Sequence, residues 1–144
     1  MMQSLYLQAD HDVHIREHGG RAFPMECCGF LLGRDSDAGR EIVMAIPATN
    51  TRGEEEQHNR FTISPEAFMR AEKEARAAKL DVLGFYHSHP NAPARPSQYD
   101  LDHAWPVYSY VIVSVKDGEP DAVTSWLLRD DRSQFDQQPI VVGT

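Results

Sequence analysis

Cysteine is scarce in this chain. The 144 residues contain two, Cys27 and Cys28, and neighbouring residues cannot readily close an ordinary disulfide. A disulfide scaffold is therefore excluded, and both side chains read as reduced, buried thiols. No window approaches the roughly 18 apolar residues that span a bilayer, and the opening MMQSLYLQADHD has neither a basic start nor an apolar signal core. The expectation is cytoplasmic residence with no membrane partner. Positive charge is also short: 14 Lys and Arg against 22 Asp and Glu leave a formal charge of −8. With no basic stripe to offset it, the chain would repel a phosphate backbone, so nucleic acid is not an expected partner. Internal repeats, low-complexity tracts and Pro/Gly/Ser linkers are missing too. Residues 1–144 read as one domain, and at this length a single core buries roughly 70% of the unfolded surface.

What is present is ordinary globular composition, 41% hydrophobic and 25% charged, arranged in alternating periods. A short strand at Leu5–Leu7 precedes a helix capped by Asp10 and failing by Gly19-Gly20. The apolar run Cys28–Leu32, the turn residues Asp35 to Gly39 and a second strand at Ile42–Ile46 form a hairpin. Residues 49–60, with Glu54-Glu55-Glu56 at their centre, show no period and read as a mobile surface loop. A short strand at 61–63 follows. Ser64-Pro65-Glu66 then starts a helix, with Ser as N-cap and Pro at the first helical position. Phe68, Ala71, Ala75 and Ala78 recur at helical spacing, so that helix is amphipathic and lies on a sheet. Strands are predicted at Val82–His87, Tyr108–Val115, Val123–Leu128 and Ile140–Val142, with a helix from Gln98 to Trp105 that Pro106 ends. The order implies an α/β fold of α+β character, a mixed sheet flanked by helices.

The chemistry concentrates in His87-Ser88-His89-Pro90 and the stretch running to Asp100. Residues i and i+2 of an extended chain share a face, so His87 and His89 at a strand end can aim both imidazoles at one point. Prolines 90, 93 and 96 stiffen the loop that follows, and Asp100 in the next helix is placed to return a third ligand. Two histidines, one carboxylate and an open fourth position make the ligand set of a catalytic zinc site, whereas structural zinc is closed by four protein ligands. Such a site predicts hydrolysis. Each part has a plainer reading: His-x-His is often a surface or core pair, and Ser97-x-x-Asp100 is also a helix capping box. The two readings of Ser97 and Asp100 are compatible. Two histidines, a serine and an aspartate would fall at these offsets by chance on the order of once in a thousand such chains. Among the other histidines, His11, His14 and His18 could share a helix face, and His103 lies one turn beyond Asp100; none is taken as a ligand.

The pattern resembles the signature of the JAMM/MPN metalloprotease family: a distant glutamate, then His-x-His, seven residues, Ser, two residues and Asp. The wider frame is similar to its compact prokaryotic branch, in Pro24-Met25-Glu26-Cys27-Cys28-Gly29, Arg60-Phe61 before a Ser-Pro helix, and Gly84-Phe85-Tyr86 leading into the histidines. The likeness runs from about residue 10 to residue 115. It implies a deaminase-like fold, Zn2+ held by His87, His89 and Asp100, Glu26 as the group that takes a proton from the water at the zinc and passes it to the leaving amine, and Ser97 as a donor to the oxyanion. By sequence alone Glu17, Glu41 and the acidic loop are equal candidates for the base; the resemblance selects Glu26. It also implies a substrate class, ubiquitin-like or sulfur-carrier proteins cleaved after a C-terminal Gly-Gly tail. The rival readings are a non-catalytic MPN scaffold, a phage-tail or cell-wall peptidase, and a RadC-like DNA-repair relative, which the acidic charge disfavours. A nucleoside deaminase would need His-x-Glu and Pro-Cys-x-x-Cys, and neither occurs.

Overall fold

The computed structural model describes residues 3–51 and 63–143. Residues 52–62 lie outside that description, and with them most of the expected loop 49–60 and of the strand expected at 61–63. The elements run β1 (Leu5–Leu7), α1 (Ala9–Ala22), β2 (Cys28–Ser36), β3 (Gly39–Ala48), α2 (Pro65–Ala77), β4 (Asp81–Pro90), α3 (Gln98–His103), β5 (Ser109–Lys116), β6 (Glu119–Leu128), β7 (Phe135–Gln138) and β8 (Ile140–Val142). No helix among the described residues is long and apolar enough to cross a membrane.

The strands form one eight-stranded sheet in the order β7-β6-β5-β4-β2-β3-β1-β8. It is mixed, as expected: β1 runs parallel to β3 and β8, and β4 runs parallel to β5, while the other neighbours are antiparallel. Its two outermost strands, β7 and β8, are separated in the chain by Pro139 alone, so the sheet curls until its ends meet.

Alternation along the central strands sorts side chains to two faces. On one face Leu31, Leu83, Tyr86, Val111, Val113 and Val115 pack with Ile15 of α1; on the other Phe30 and Leu32 pack with Ala71 and Ala75 of α2. Fully burying a side chain such as Leu31 or Ile15 contributes about 1.5–3 kcal/mol, so the two clusters hold a helix against each face. Helix α2 starts as predicted, with Ser64 Oγ accepting from Ala67 N–H at 3.1 Å.

Three sequence expectations are corrected. Helix α1 does not fail at Gly19-Gly20 but continues to Ala22. A Cβ at Gly19 would lie 3.1 Å from Val115 and 3.2 Å from Val113, so the missing side chain lets the helix sit close on β5, and packing outweighs the roughly 1 kcal/mol helical penalty of glycine. The N-cap of this helix is Gln8, with no side-chain cap bond; Asp10 sits in the first turn, where its charge favours the helix dipole. Helix α3 ends at His103 rather than at Trp105, two residues sooner than Pro106 demands.

Strand β7 has no apolar signature because its buried residue is Gln138. The hydroxyls of Ser109 and Ser125 donate to Gln138 Oε1 at 2.9 and 2.8 Å, and its amide donates to Gln3 O at 3.0 Å. Arg40 continues the network to Ser109 Oγ at 3.1 Å and to the carbonyls of Leu83 and Val107. Satisfied polar groups close the curled sheet where an apolar pattern would have been readable.

Candidate metal centre

Strand β4 continues past the expected end at His87 to Pro90, so both histidines lie within it. It is paired on both sides: His87 with Cys28 of β2 and Ile112 of β5, and His89 with Ser114 of β5. The backbone that carries the imidazoles is thus fixed laterally. Both rings point to the sheet face that carries α2 and α3, and both are buried, with 1% and 7% of their surface exposed.

The loop from Asn91 to Pro96 is held at three points. Asn91 N–H donates to Val115 O at 2.6 Å, Thr124 Oγ1 donates to Ala94 O at 2.6 Å, and His89 Nδ1 lies 2.9 Å from Pro93 O. It delivers Ser97 as the N-cap of α3 and Asp100 in its first turn. The capping box forms: Asp100 N–H donates to Ser97 Oγ at 3.1 Å, and Ser97 N–H donates to Asp100 Oδ2 at 2.8 Å.

The consequence is convergence. His87 Nε2 and His89 Nε2 lie 3.1 Å apart, and Asp100 Oδ2 lies 3.4 Å from the first and 3.2 Å from the second. Ligands about 2.0–2.1 Å from a tetrahedral zinc ion stand about 3.3–3.4 Å from one another. The three donors therefore fit one small cation, and they are a group that could hold a metal. Pro93 O accepts a hydrogen bond from Nδ1–H of His89, so in the neutral ring, the form that binds a metal, the Nε2 lone pair faces the shared point. Burial disfavours charge on Asp100, but the His87 ring and hydrogen bonds from His87, His89 and Ser97 N–H outweigh it and hold the carboxyl well below the usual range. Burial likewise opposes protonation of His89, yet its bonds to Asp100 and Pro93 raise it. Negative charge and lone pairs gathered in a buried spot are what a cation relieves.

Glu26 precedes β2. Since Cys28 pairs with His87 in an antiparallel register, continuing that register sets Glu26 opposite His89, on the same face as both imidazoles. Its residue is 6% exposed. Burial pushes the carboxyl up to about 7, with His87 and His89 pulling it down and Asp100 adding to the rise. The main chain around it is pinned by Asn50, whose amide donates to Glu26 O at 3.2 Å, and by Ser88, whose Oγ accepts from Cys27 N–H at 2.8 Å. Ser88, the middle residue of His-x-His, points to the opposite face and locks the start of β2 against β4. Nothing in the motif marks it, although its position between the histidines could have. Cys27 and Cys28 are buried and free, as expected, with thiols pushed up by burial to about 11 and about 12.

Among the described residues, the other histidines stand apart from this group. His14 Nε2 and His18 Nδ1 lie 3.3 and 2.7 Å from the Tyr86 hydroxyl on the α1 face, and His103 stacks on Tyr99 with ring centroids 4.1 Å apart. None joins the three donors. A cleft of about 500 Å³ opens beside His87 and Asp100, walled by aromatic residues from β4, β5, α2, α3 and the connection after α3. Sequence reading missed it, because its walls come from segments far apart in the chain.

The family described as prokaryotic homologues of the JAB domain matches residues 8–129. A desampylase of Haloferax volcanii is 38% identical over 102 residues, 70% of each chain. A Thermus thermophilus protein described as a probable TtuB-protein conjugate cleaving protease is 34% identical over 114 residues, 78% of this chain and 68% of that one. The solution structure of protein DSY2949 from Desulfitobacterium hafniense superposes with a TM-score of 0.83 at 30% identity, covering 96% of this chain and 92% of that chain. Together with the mixed sheet and the His-His-Asp constellation, this match establishes that the chain belongs to the prokaryotic JAB-domain branch of the JAMM/MPN family and is an enzyme, a hydrolase, of that family.

Proposed function

We propose that this enzyme is a zinc metallopeptidase that cleaves the amide bond after the C-terminal Gly-Gly tail of a ubiquitin-like or sulfur-carrier protein, working in the cytoplasm as a single domain. The observation that carries the reading is the meeting of His87 Nε2, His89 Nε2 and Asp100 Oδ2 within 3.1–3.4 Å of one another beside the buried carboxyl of Glu26. The names of the two relatives, desampylase and conjugate cleaving protease, support the substrate class. The formal charge of −8 supports a protein partner over nucleic acid, and two free buried thiols suit a reducing compartment.

His87, His89 and Asp100 would hold Zn2+, which supplies Lewis acidity, making water more acidic and polarising the scissile carbonyl. The chain's own residues do the rest. Glu26 takes a proton from the attacking water as its oxygen bonds to the carbonyl carbon. It then gives that proton to the nitrogen as the C–N bond breaks, so acid and amine leave with atoms balanced. Burial favours the protonated form of this carboxyl, which helps Glu26 keep the proton between the two steps. Ser97 Oγ already accepts from Asp100 N–H, which leaves its own hydroxyl proton to donate to the carbonyl oxygen as negative charge develops there. Pro93 O and Ser97 N–H orient His89 and Asp100.

The test is cleavage of carrier fusions ending Gly-Gly-X by zinc-loaded protein beside its Glu26→Ala variant. The reading expects release of X by the wild type and a loss of at least about a hundredfold in kcat in the variant, with zinc retained. Full activity in Glu26→Ala would remove that residue from the mechanism.

A further inference from the structure

Phe85 lies two residues before His87 on β4, so both side chains share a face, and its register partner on β5 is Tyr110. Their rings stack with centroids 5.7 Å apart at 25°. Tyr108 meets Phe85 edge-on at 5.1 Å, and Phe68 of α2 stacks on it at 5.9 Å. An aromatic wall thus leads away from the His87 ligand. The mouth is formed by Trp105 and Val107, which leave 62% and 65% of their surface in solvent, and the Arg132 guanidinium lies 5.2 Å over the indole. The cleft they enclose, about 500 Å³, has the size of a ligand pocket and is mostly apolar, its polar groups being chiefly those of His87, Asp100 and His103 and the hydroxyls of Tyr99, Tyr108 and Tyr110. Exposed aromatic surface at the edge of a reactive site points to a group that covers it.

Which group follows from the sides of the site. The sheet order sets β2, and with it Glu26, on one side of β4 and β5 on the other. His87 and Asp100 line the cleft; Glu26 and His89 do not. In the proposed hydrolysis the leaving nitrogen must reach Glu26 to be protonated, so it departs toward β2, and the acyl chain runs the opposite way, along β5. Two glycines have no side chains to fill an aromatic pocket. The third residue from the end is the first that can, and in an extended chain its Cα lies roughly 7 Å from the scissile carbonyl.

We propose that this cleft is the subsite for a bulky apolar side chain on the residue preceding Gly-Gly, and that Trp105, Val107 and Tyr108 set this preference. The inference rests on the proposed function and extends it from a tail class to a tail sequence. Glu72 adds negative charge near Tyr108, so an acidic residue at that position is disfavoured.

Quenched fluorescent peptides ending X-Gly-Gly, joined through the terminal carboxyl to a reporter amine, test it with X as Leu, Phe, Ala or Asp. The wild type is expected to favour Leu and Phe over Ala by on the order of tenfold or more in kcat/KM, with Asp slower still. In Trp105→Ala and Val107→Ser, exposed positions whose change leaves the fold intact, the Leu-to-Ala ratio falls toward one. Equal rates for every X, or a ratio that survives in both variants, would overturn the inference while leaving Gly-Gly cleavage intact. Variants that instead change the preference among leaving amines would assign the cleft to the other side and overturn it too. If no X-Gly-Gly peptide is cleaved, the proposed function fails, and this inference falls with it.

Discussion

Ser97 and Asp100 hold each other twice: Ser97 N–H donates to Asp100 Oδ2 at 2.8 Å, and Asp100 N–H donates to Ser97 Oγ at 3.1 Å. The same Oδ2 lies 3.2 Å from His89 Nε2. A helix-capping device and an element of the candidate metal centre are one arrangement, so the stability of α3 and the aim of the third donor are coupled.

Replacing Ser97 separates the two roles. Loss of the cap in Ser97→Ala costs about 1 kcal/mol, while loss of a donor to the developing oxyanion costs on the order of a hundredfold or more in kcat. The expected outcome is a small shift in the urea midpoint, zinc retained, and a large fall in kcat. A variant with unchanged kcat would leave Ser97 as a cap alone.

Ser88 offers a test of the scaffold on the other face. Its Oγ accepts from Cys27 N–H at 2.8 Å where the residue is fully buried, so Ser88→Ala strands that N–H. We expect a loss of about 1–3 kcal/mol by urea unfolding, larger than for an alanine at exposed Ser133.

Close approach makes a second stability test. A Cβ at Gly29 would lie 2.1 Å from the Tyr86 ring and 2.6 Å from Ile46 O. One obstacle is backbone, so Gly29→Ala is expected to destabilise by about 3 kcal/mol or more. A melting temperature equal to the wild type would contradict the packing of Tyr86 against β2.

Much of this was legible in the sequence, for identifiable reasons. The strand β1, the hairpin of β2 and β3, and the Ser64 cap follow from local pattern, and the common face of His87 and His89 follows from the period of a strand. Asp100 could be proposed because a stiff loop leaves few places for its end to go. Glu26 is 61 residues from His87, and only family likeness selected it; the register between β2 and β4 that brings them together is a tertiary fact. Gly19 misled because helix propensity is local, whereas its contact with Val113 and Val115 is not. The aromatic cleft was hidden because Phe68 reads as part of an amphipathic helix face, while Phe85 and Tyr108 fall in two separately predicted strands.

Acid sensitivity has a traceable source outside the metal centre. Burial, then His14 and Arg21, lower the His18 pKa from 6.5 to about 4, so the unfolded chain binds a proton more readily than the folded one. The contribution is fully present above pH 6.5 and is lost as pH falls through about 4. Other groups titrate in the same range, so the readout is a difference. The gap in urea midpoint between wild type and His18→Gln should shrink from pH 7.5 to pH 4 on this account; a constant gap would refute it.

The most direct measurement is bound zinc per chain in the wild type, in Glu26→Gln and in His87→Ala. The account predicts about one zinc in the first two, as one site with three protein ligands requires, and little in His87→Ala. Equal zinc in His87→Ala and the wild type would contradict it.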